Sequence, residues 1–496
     1  MKKLLTLLCL IFVLTACSVN NNDNDPQNLL EEIQQRGELV VATSPDYAPY
    51  EFIDPSQLGQ NKYVGADMEL AKLLAKELGV DLVIKPMSFD DIPSSIIARK
   101  YDIGLSGFTY TEERAQAIQF SISYDSSESK CQGFLVSDTN TFDSLDDFDK
   151  ATVSSQNGSL QQEYVNEQLP NANVRLVTSL DDAVMELKAG KTDAVAISCA
   201  SGETFLKNNS GIKISDVKFN SENEQGIMAI MPKGEPELLN AVNEILNDVV
   251  DSGKYQVWMD EAVILDAEVS NMGDGVKPTI FTLAKTYGDL FWEGTIGTLW
   301  LSAVVVFFGT IFGALLTLAK MSKLKLLNIV SSVYVEIVRG TPILLQLYLF
   351  VYGGAQLLPN MVSDYMWVVI ALIFNSSAYV AEVFRSGIQA VDKGQFEAAK
   401  SLGLSDKNMM IKVILPQAIK NILPALGNEF IMMIKETSLA SIFFINSLMT
   451  TQSIISAATH MKFETLIIVG IIYFILTFTL SKVITHFERK GNRTHA

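Results

Sequence analysis

The last two hundred residues alternate long apolar runs with short basic loops, and that alternation leaves few folds open. Apolar stretches near 294–319, 334–358, 365–385, 420–446 and 464–485 each approach the roughly 20 residues a bilayer crossing needs. A helix satisfies its own backbone in lipid, so an all-α membrane part of about five helices is expected. Between the third and fourth runs, residues 397–416 read EAAKSLGLSDKNMMIKVILP, a polar, basic, helix-forming stretch that must face water. Lys320, Lys323 and Lys325 follow the first run, Arg385, Lys393, Lys400, Lys407 and Lys412 the third, and Arg489, Lys490 and Arg493 the last. The turn 357–364 carries no Lys or Arg. The positive-inside rule then puts the basic loops and the C-terminus in the cytoplasm and the residues before the first span outside.

The front of the chain differs in kind. Residues 1–279 hold 44 Asp and Glu against 21 Lys and Arg, whereas residues 280–496 hold 12 against 17. An acidic front and a basic, apolar back do not suit nucleic-acid binding. They suit a soluble part outside the cell joined to a membrane part. Lys2 and Lys3 precede the apolar run Leu4–Leu14, and Leu14-Thr15-Ala16-Cys17 follows. This pattern reads as a signal peptide over residues 1–17 that resembles the lipobox of bacterial lipoproteins, with Cys17 taking the lipid. An uncleaved membrane helix is the competing reading, but the run is short for one.

Residues 18–35 open on an Asn/Asp run too poor in apolar surface to fold, and are expected to be a flexible tether. From residue 36 to 265 strands alternate with helices. Leu39–Thr43, Asp102–Ser106 and Asp193–Ile197 read as buried strands, and Met68–Leu78 as a helix with Leu70, Leu73, Leu74 and Leu78 on one face. The expectation is an α/β fold with largely parallel sheets. Gln132-Gly133-Phe134 and Gln225-Gly226-Ile227 echo each other and are candidate crossings between two lobes. Residues 266–290, with Gly273, Gly275 and Pro278, are expected to link this part to the membrane part at 291–490.

Several motifs resemble the polar amino-acid family of solute-binding proteins: VATSPDYAPYEF at 41–52, VGADMEL at 64–70 and GFTYTEER at 107–114. The resemblance implies the two-lobed type II periplasmic-binding fold. An amino acid is a zwitterion, so its site needs donors for a carboxylate and acceptors for an ammonium. Arg114 can grip a carboxylate with two parallel N–H bonds. The resemblance gives it that role, with Thr109 and groups near Ser106 and Gly107 assisting, and has Tyr47 stack on the ligand. It also implies contacts from Gln156, Gly158 and Ser159, at a polar turn opening a helix. Read without it, Arg114 is a solvated arginine and Ser159 an ordinary helix cap. Ser44 and Ser198 stand where the family often carries acids. Ser198 can accept a hydrogen bond but brings no charge, which leaves Glu222 or Glu224 to supply it. The missing acid at Ser44 points to a neutral ligand such as glutamine.

The stretch 397–416 resembles the coupling loop of importer permeases of the ATP-binding-cassette class, with Glu397, Ala398, Ala399, Gly403, Leu415 and Pro416 matching its pattern and Val413 where Ile is usual. Tyr334–Leu347 and Lys435–Leu439 match further permease motifs. The resemblance implies a cytoplasmic ATPase subunit docked on that loop, and a homodimer to complete the pathway. The chain has no Gly-x-x-x-x-Gly-Lys-Ser/Thr motif of its own, since Met185 stands where Gly190-Lys191-Thr192 would need the first Gly. A metal site is not expected, because no ligands have the right spacing and the three histidines lie in the membrane part or tail. Nor is a cofactor or an enzyme expected, since no histidine is available as a general base in the front part. A ligand-gated ion channel is the alternative function, because channels also join such a lobe fold to membrane spans. Cys131 and Cys199 could pair or remain free thiols.

Overall fold

The computed structural model describes residues 26–57, 59–125, 131–221, 226–270, 279–354 and 362–493. The expected signal peptide, with Cys17, lies outside them, as do Glu222 and Glu224. In chain order the front part, here called the head, contains α1 (Leu29–Arg36), β1 (Glu38–Thr43), β2 (Phe52–Ile53), β3 (Tyr63–Val64), α2 (Ala66–Leu78), β4 (Asp81–Pro86), α3 (Asp91–Ile97), β5 (Ile103–Gly104), α4 (Glu112–Ala115) and β6 (Ile118–Ser123). It continues with β7 (Gln132–Ser137), β8 (Thr152–Gln156), α5 (Leu160–Gln168), β9 (Asn173–Val177), α6 (Leu180–Lys188), β10 (Ala194–Ser198), α7 (Cys199–Asn208) and β11 (Ile212–Lys218). β12 (Met228–Pro232), α8 (Pro236–Ser252) and α9 (Lys254–Ser270) complete it.

Two five-stranded sheets define two lobes. Lobe 1 has the order β4-β1-β5-β12-β6 and lobe 2 the order β11-β7-β10-β8-β9. β1 runs parallel to β4 and β5, and β8 parallel to β9 and β10, while β12 and β7 enter antiparallel. The antiparallel entries follow from the chain crossing between lobes twice, from β6 to β7 and from β11 to β12. The echoed Gln-Gly segments fall at these two crossings. Cys131 and Cys199 are disulfide-bonded with Cα atoms 5.4 Å apart. The bond ties the start of β7 to the start of α7.

The expected tether is shorter than its range. Asn28 accepts from the Glu31 N–H as a helix cap, and Gly37, at φ 75°, closes α1. Leu29 and Ile33, four residues apart, pack into the lobe 1 core with Leu238 and Val242. Residues 29–35 therefore fold because two apolar positions on one turn find a core to enter. In α2, Leu70 and Leu74 are buried and Leu73 and Leu78 pack at the margin of the same core.

The membrane part contains α10 (Ile280–Thr286), α11 (Gly288–Lys320), α12 (Lys325–Gly340), α13 (Ile343–Tyr348), α14 (Asp364–Gln389), α15 (Lys393–Ser401), α16 (Asp406–Met409), α17 (Leu415–Glu436), α18 (Leu448–Thr459) and α19 (Lys462–Arg493). Among the described residues, 4 helices are long and apolar enough to cross a membrane, or up to 5 if one bent pair counts as a span. That pair is the expected span 334–358. It is broken, with α12 and the helix after it bent by 110°. Pro342 accounts for the break: the residue before a proline is driven out of the helical region, and Thr341 sits extended at φ −117°, ψ 145°. The expected linker 266–290 is also largely helical. Val269 at the end of α9 packs with Ala458, and Leu283 of α10 with Phe291 and Ile455. Only 271–278, with both glycines and Pro278, lies outside the described residues.

The tightest helix pair is α11 with α14. A Cβ on Gly309 would lie 2.7 Å from Ser376 Oγ, and one on Gly313 2.7 Å from Val380 Cγ1. Gly309 and Gly313 thus form a small-xxx-small seam that lets the backbones approach. Phe307, Leu318 and Phe474 are more than half exposed, as lipid-facing side chains would be.

Candidate functional site

A narrow cleft of about 50 Å³ lies between the lobes. Ser44, Tyr47, Ser106, Gly107, Thr109, Arg114, Gln156, Ser159 and Ser198 all line it. Gly158 does not, but its carbonyl accepts from Arg114 Nη2 across the interlobe gap. Asn157 Nδ2 donates to Asp90 Oδ2 at 2.9 Å, a second bond between lobes, so the head is closed.

Arg114 lies on α4, whose cap Thr111 accepts from the Arg114 N–H. Its guanidinium lies 5.8 Å from the Phe89 ring centre and 5.7 Å from that of Phe108, and Nη1 donates to Thr109 O at 2.9 Å. Burial lowers its pKa, against the opposing fields of Glu163 and Glu113. Two of its five N–H groups have these carbonyl partners, which leaves donors for a ligand carboxylate. Tyr47 stacks on Tyr50 with ring centres 5.1 Å apart. Gly107, at φ +58°, must be glycine, because a Cβ there would also sit 3.1 Å from Tyr47.

Several of the expected polar contacts are committed elsewhere. The Gly107 N–H donates to Asp67 Oδ2 at 3.1 Å, and Ser106 Oγ donates to Glu51 Oε1 at 2.7 Å. Ser159 Oγ caps α5 by accepting from Gln162 N, and Ser198 Oγ caps α7 by accepting from Ser201 N. A short polar side chain at a helix start is drawn to the orphan N–H groups, so these two serines are caps first.

The cleft carries carboxylates at other positions. Asp46 and Glu51 line the cleft, with Asp125. Asp46 accepts from Ser44 Oγ at 2.8 Å, and burial pushes its pKa up to about 6. Glu51 is fully buried in hydrogen-bonding contact with Asp67, and desolvation with Asp67 alongside pushes it well above an ordinary carboxylate. Tyr255 OH donates to Asp67 Oδ1 at 2.6 Å and Tyr124 OH at 3.1 Å, so α9 is tied into the cleft floor. The "YEF" run of the sequence carried Glu51, but nothing in its local pattern said that it would turn inward.

Both lobes rest on the membrane part. From lobe 1, Lys100 Nζ pairs with Asp364 at 3.1 Å and Tyr101 OH donates to Asp364 at 2.7 Å. From lobe 2, Asp181 accepts from Ser456 Oγ at 2.6 Å, and Asp182 pairs with Lys462 Nζ at 2.6 Å. The His460 ring lies 4.4 Å from that of Phe205. Between head and membrane part lies a chamber of about 410 Å³ that shares Ser44 and Asp46 with the cleft and is also lined by Tyr348 and Gln452.

The coupling stretch lies at the other end. α14 starts at Asp364, beneath the head, and its 26 residues extend about 39 Å before α15 begins. Glu397 and Ala398 are exposed and Ala399 is buried on α15. Gly403 adopts φ +71°, and its N–H returns to Lys400 O at 2.9 Å. Leu402, which the motif reading passed over, is 80 % exposed beside it. A π-turn over Met410–Ile414 then leads into Leu415 and Pro416 at the start of α17. Among the described residues no group of three His, Cys, Asp or Glu could hold a metal ion.

Residues 39–261 match the model of bacterial extracellular solute-binding proteins, family 3, and residues 306–492 that of the binding-protein-dependent transport system inner membrane component. A Rickettsia bellii protein provisionally assigned as the glutamine transport system permease GlnP is 41% identical over 198 residues, which are 40% of this chain and 91% of that protein. The arginine transport system permease ArtQ of Bacillus subtilis is 39% identical over 40% of this chain and 90% of its own length. A Streptococcus pneumoniae amino acid ABC transporter substrate-binding protein crystallised with L-arginine is 34% identical, covering 48% of this chain and 98% of its own, with a TM-score of 0.45. The chain belongs to the amino-acid branch of the binding-protein-dependent transporters, and joins a two-lobed, type II solute-binding domain and an inner-membrane permease domain in one polypeptide.

Proposed function

We propose that this chain is the combined binding and permease subunit of an ATP-driven importer of a polar amino acid, with glutamine as first candidate. The observation that carries this is Arg114, a buried guanidinium with free donors, in a cleft that Asp46 also lines and whose floor is tied to the helix leading to the membrane part. Arg114 holds the ligand carboxylate and Asp46 its ammonium. Burial holds Glu51 well above an ordinary carboxylate, which suits a cleft that takes a neutral amide. Asp125, a further carboxylate on the lining, favours a second reading in which the ligand is arginine.

The head works outside the cell. Its Cys131–Cys199 bond fits an oxidising compartment, and the basic loops around α15 fit the cytoplasm. A separate ATPase docks on Glu397–Pro416, with the exposed Leu402 entering its surface. Two copies of the chain complete the pathway, and Cys17 anchors the processed N-terminus by a lipid. The test is calorimetric titration of the full chain in lipid nanodiscs with L-glutamine and L-arginine. Binding of glutamine with a Kd at least tenfold below that of arginine supports the first reading, the reverse order supports the second, and binding of neither refutes both.

A further inference from the structure

Lys462 opens α19 on the side of the permease where the head rests, and is not part of the head. Its Nζ lies 2.6 Å from Asp182 Oδ1 and 3.2 Å from Ser179 Oγ, both at the start of α6 in lobe 2. It lines the chamber that shares Ser44 and Asp46 with the ligand cleft. Asp46, Asp181 and Asp182 line the same chamber, and the Lys462 charge opposes that of Asp181 at Asp46. Asp46 therefore faces two ways, into the cleft and into the chamber. The permease brings its own cation to the chamber side.

We propose that Lys462 is a release residue: in the docked chain its ammonium competes with the ligand's ammonium for Asp46 and so lowers the head's affinity where ligand must leave for the permease. This rests on the reading of Asp46 as the ammonium partner. Lys462 acts through Asp46 and does not touch the ligand, so it is a positioning residue. Two like charges cannot share one carboxylate in a confined chamber without mutual repulsion. The pairing with Asp182 and Ser179 holds the lysine in place, so its charge is present at every docking. The chamber supplies the exit, since Gln452 and Tyr348 of the permease line its other wall.

A purely docking lysine and a release lysine differ in the sign of their effect. If Lys462 only holds the head in place, its loss leaves ligand affinity unchanged or weakens it. If it competes for Asp46, its loss tightens binding. The experiment is a charge series at position 462 in the full chain in phosphatidylethanolamine–phosphatidylglycerol nanodiscs, titrated with L-glutamine and with L-arginine. Lys462→Arg should keep the native Kd within about twofold, Lys462→Met should lower it about five- to tenfold, and Lys462→Glu should lower it further, within the usual range of coupling between sites. Stopped-flow dissociation should slow in the same order. A flat series, or weaker binding by Met and Glu, overturns the proposal while leaving the transport reading intact. Failure of the native chain to bind either amino acid overturns both.

Discussion

Replacing Arg114 separates a point charge from a fork. In the native head the guanidinium gives one N–H to Thr109 O and one to Gly158 O, and keeps the rest for the ligand. Lysine at this position retains the charge but reaches the carboxylate at one point. The loss is one charge-assisted hydrogen bond, about 1.5–3 kcal/mol, or about 10- to 150-fold in Kd. Methionine leaves the ligand carboxylate buried without a cation, which costs about 3–5 kcal/mol, about 150- to 4,000-fold. Both variants also lose the bridge to Gly158, so that contribution needs its own control. Asp90→Ala removes another interlobe bond, from Asn157, without touching the cleft, and should cost about 0.5–1.5 kcal/mol. Isothermal calorimetry of the full chain with L-glutamine gives all three values. A Lys variant within twofold of native, or a Met variant no weaker than Lys, would refute the carboxylate role. So would an Asp90→Ala loss as large as that of Arg114→Met.

Cys131→Ser with Cys199→Ser reopens a loop of 68 residues and should lower head stability by about 4 kcal/mol, read as a drop in thermal midpoint on the full chain. Asp67, with its pKa raised to about 6, makes the native head hold a proton that the unfolded chain has lost above its ordinary value of 3.8. Its contribution is therefore fully present below about pH 4 and falls as pH rises towards 6, by at most about 3 kcal/mol. Asp67→Asn should flatten that part of the midpoint-versus-pH curve, and an unchanged slope would show that Asp67 titrates normally. Gly403→Val places a branched residue at φ +71°, where an L-residue costs about 1–2 kcal/mol, although the space around it is open. It should cut ATP-dependent uptake at least tenfold with ligand Kd within twofold of native. Loss of binding would contradict separate head and coupling functions.

The broad plan was readable because each part carries its own period. Long apolar runs cannot be anything but membrane helices, and strand–helix alternation with Gly-marked crossings reads as two lobes. Residue types with one demanding task were readable too: Arg114, Tyr47 and Gln156 all line the cleft. What could not be read depended on partners distant in sequence. Glu51 is pushed well above an ordinary carboxylate first by burial and then by Asp67, 16 positions on, folded against it. Ser198 lines the cleft as the resemblance implies, and its cap on the Ser201 N–H is a second task that its local sequence did not announce. Leu29 and Ile33 looked like part of a tether because their core lies some 200 residues away at Leu238 and Val242. Pro342 was visible, but an apolar run counts the same whether straight or bent by 110°.

On the proposed function, a captor and a membrane pathway share this chain while the energy comes from another subunit. The most direct test is uptake of labelled L-glutamine and L-arginine into proteoliposomes holding the full chain, with and without its co-purified ATPase and ATP. Accumulation against a gradient only when both ATPase and ATP are present is the predicted result. Equal accumulation without them, or passive ion current on adding the amino acid, would contradict it.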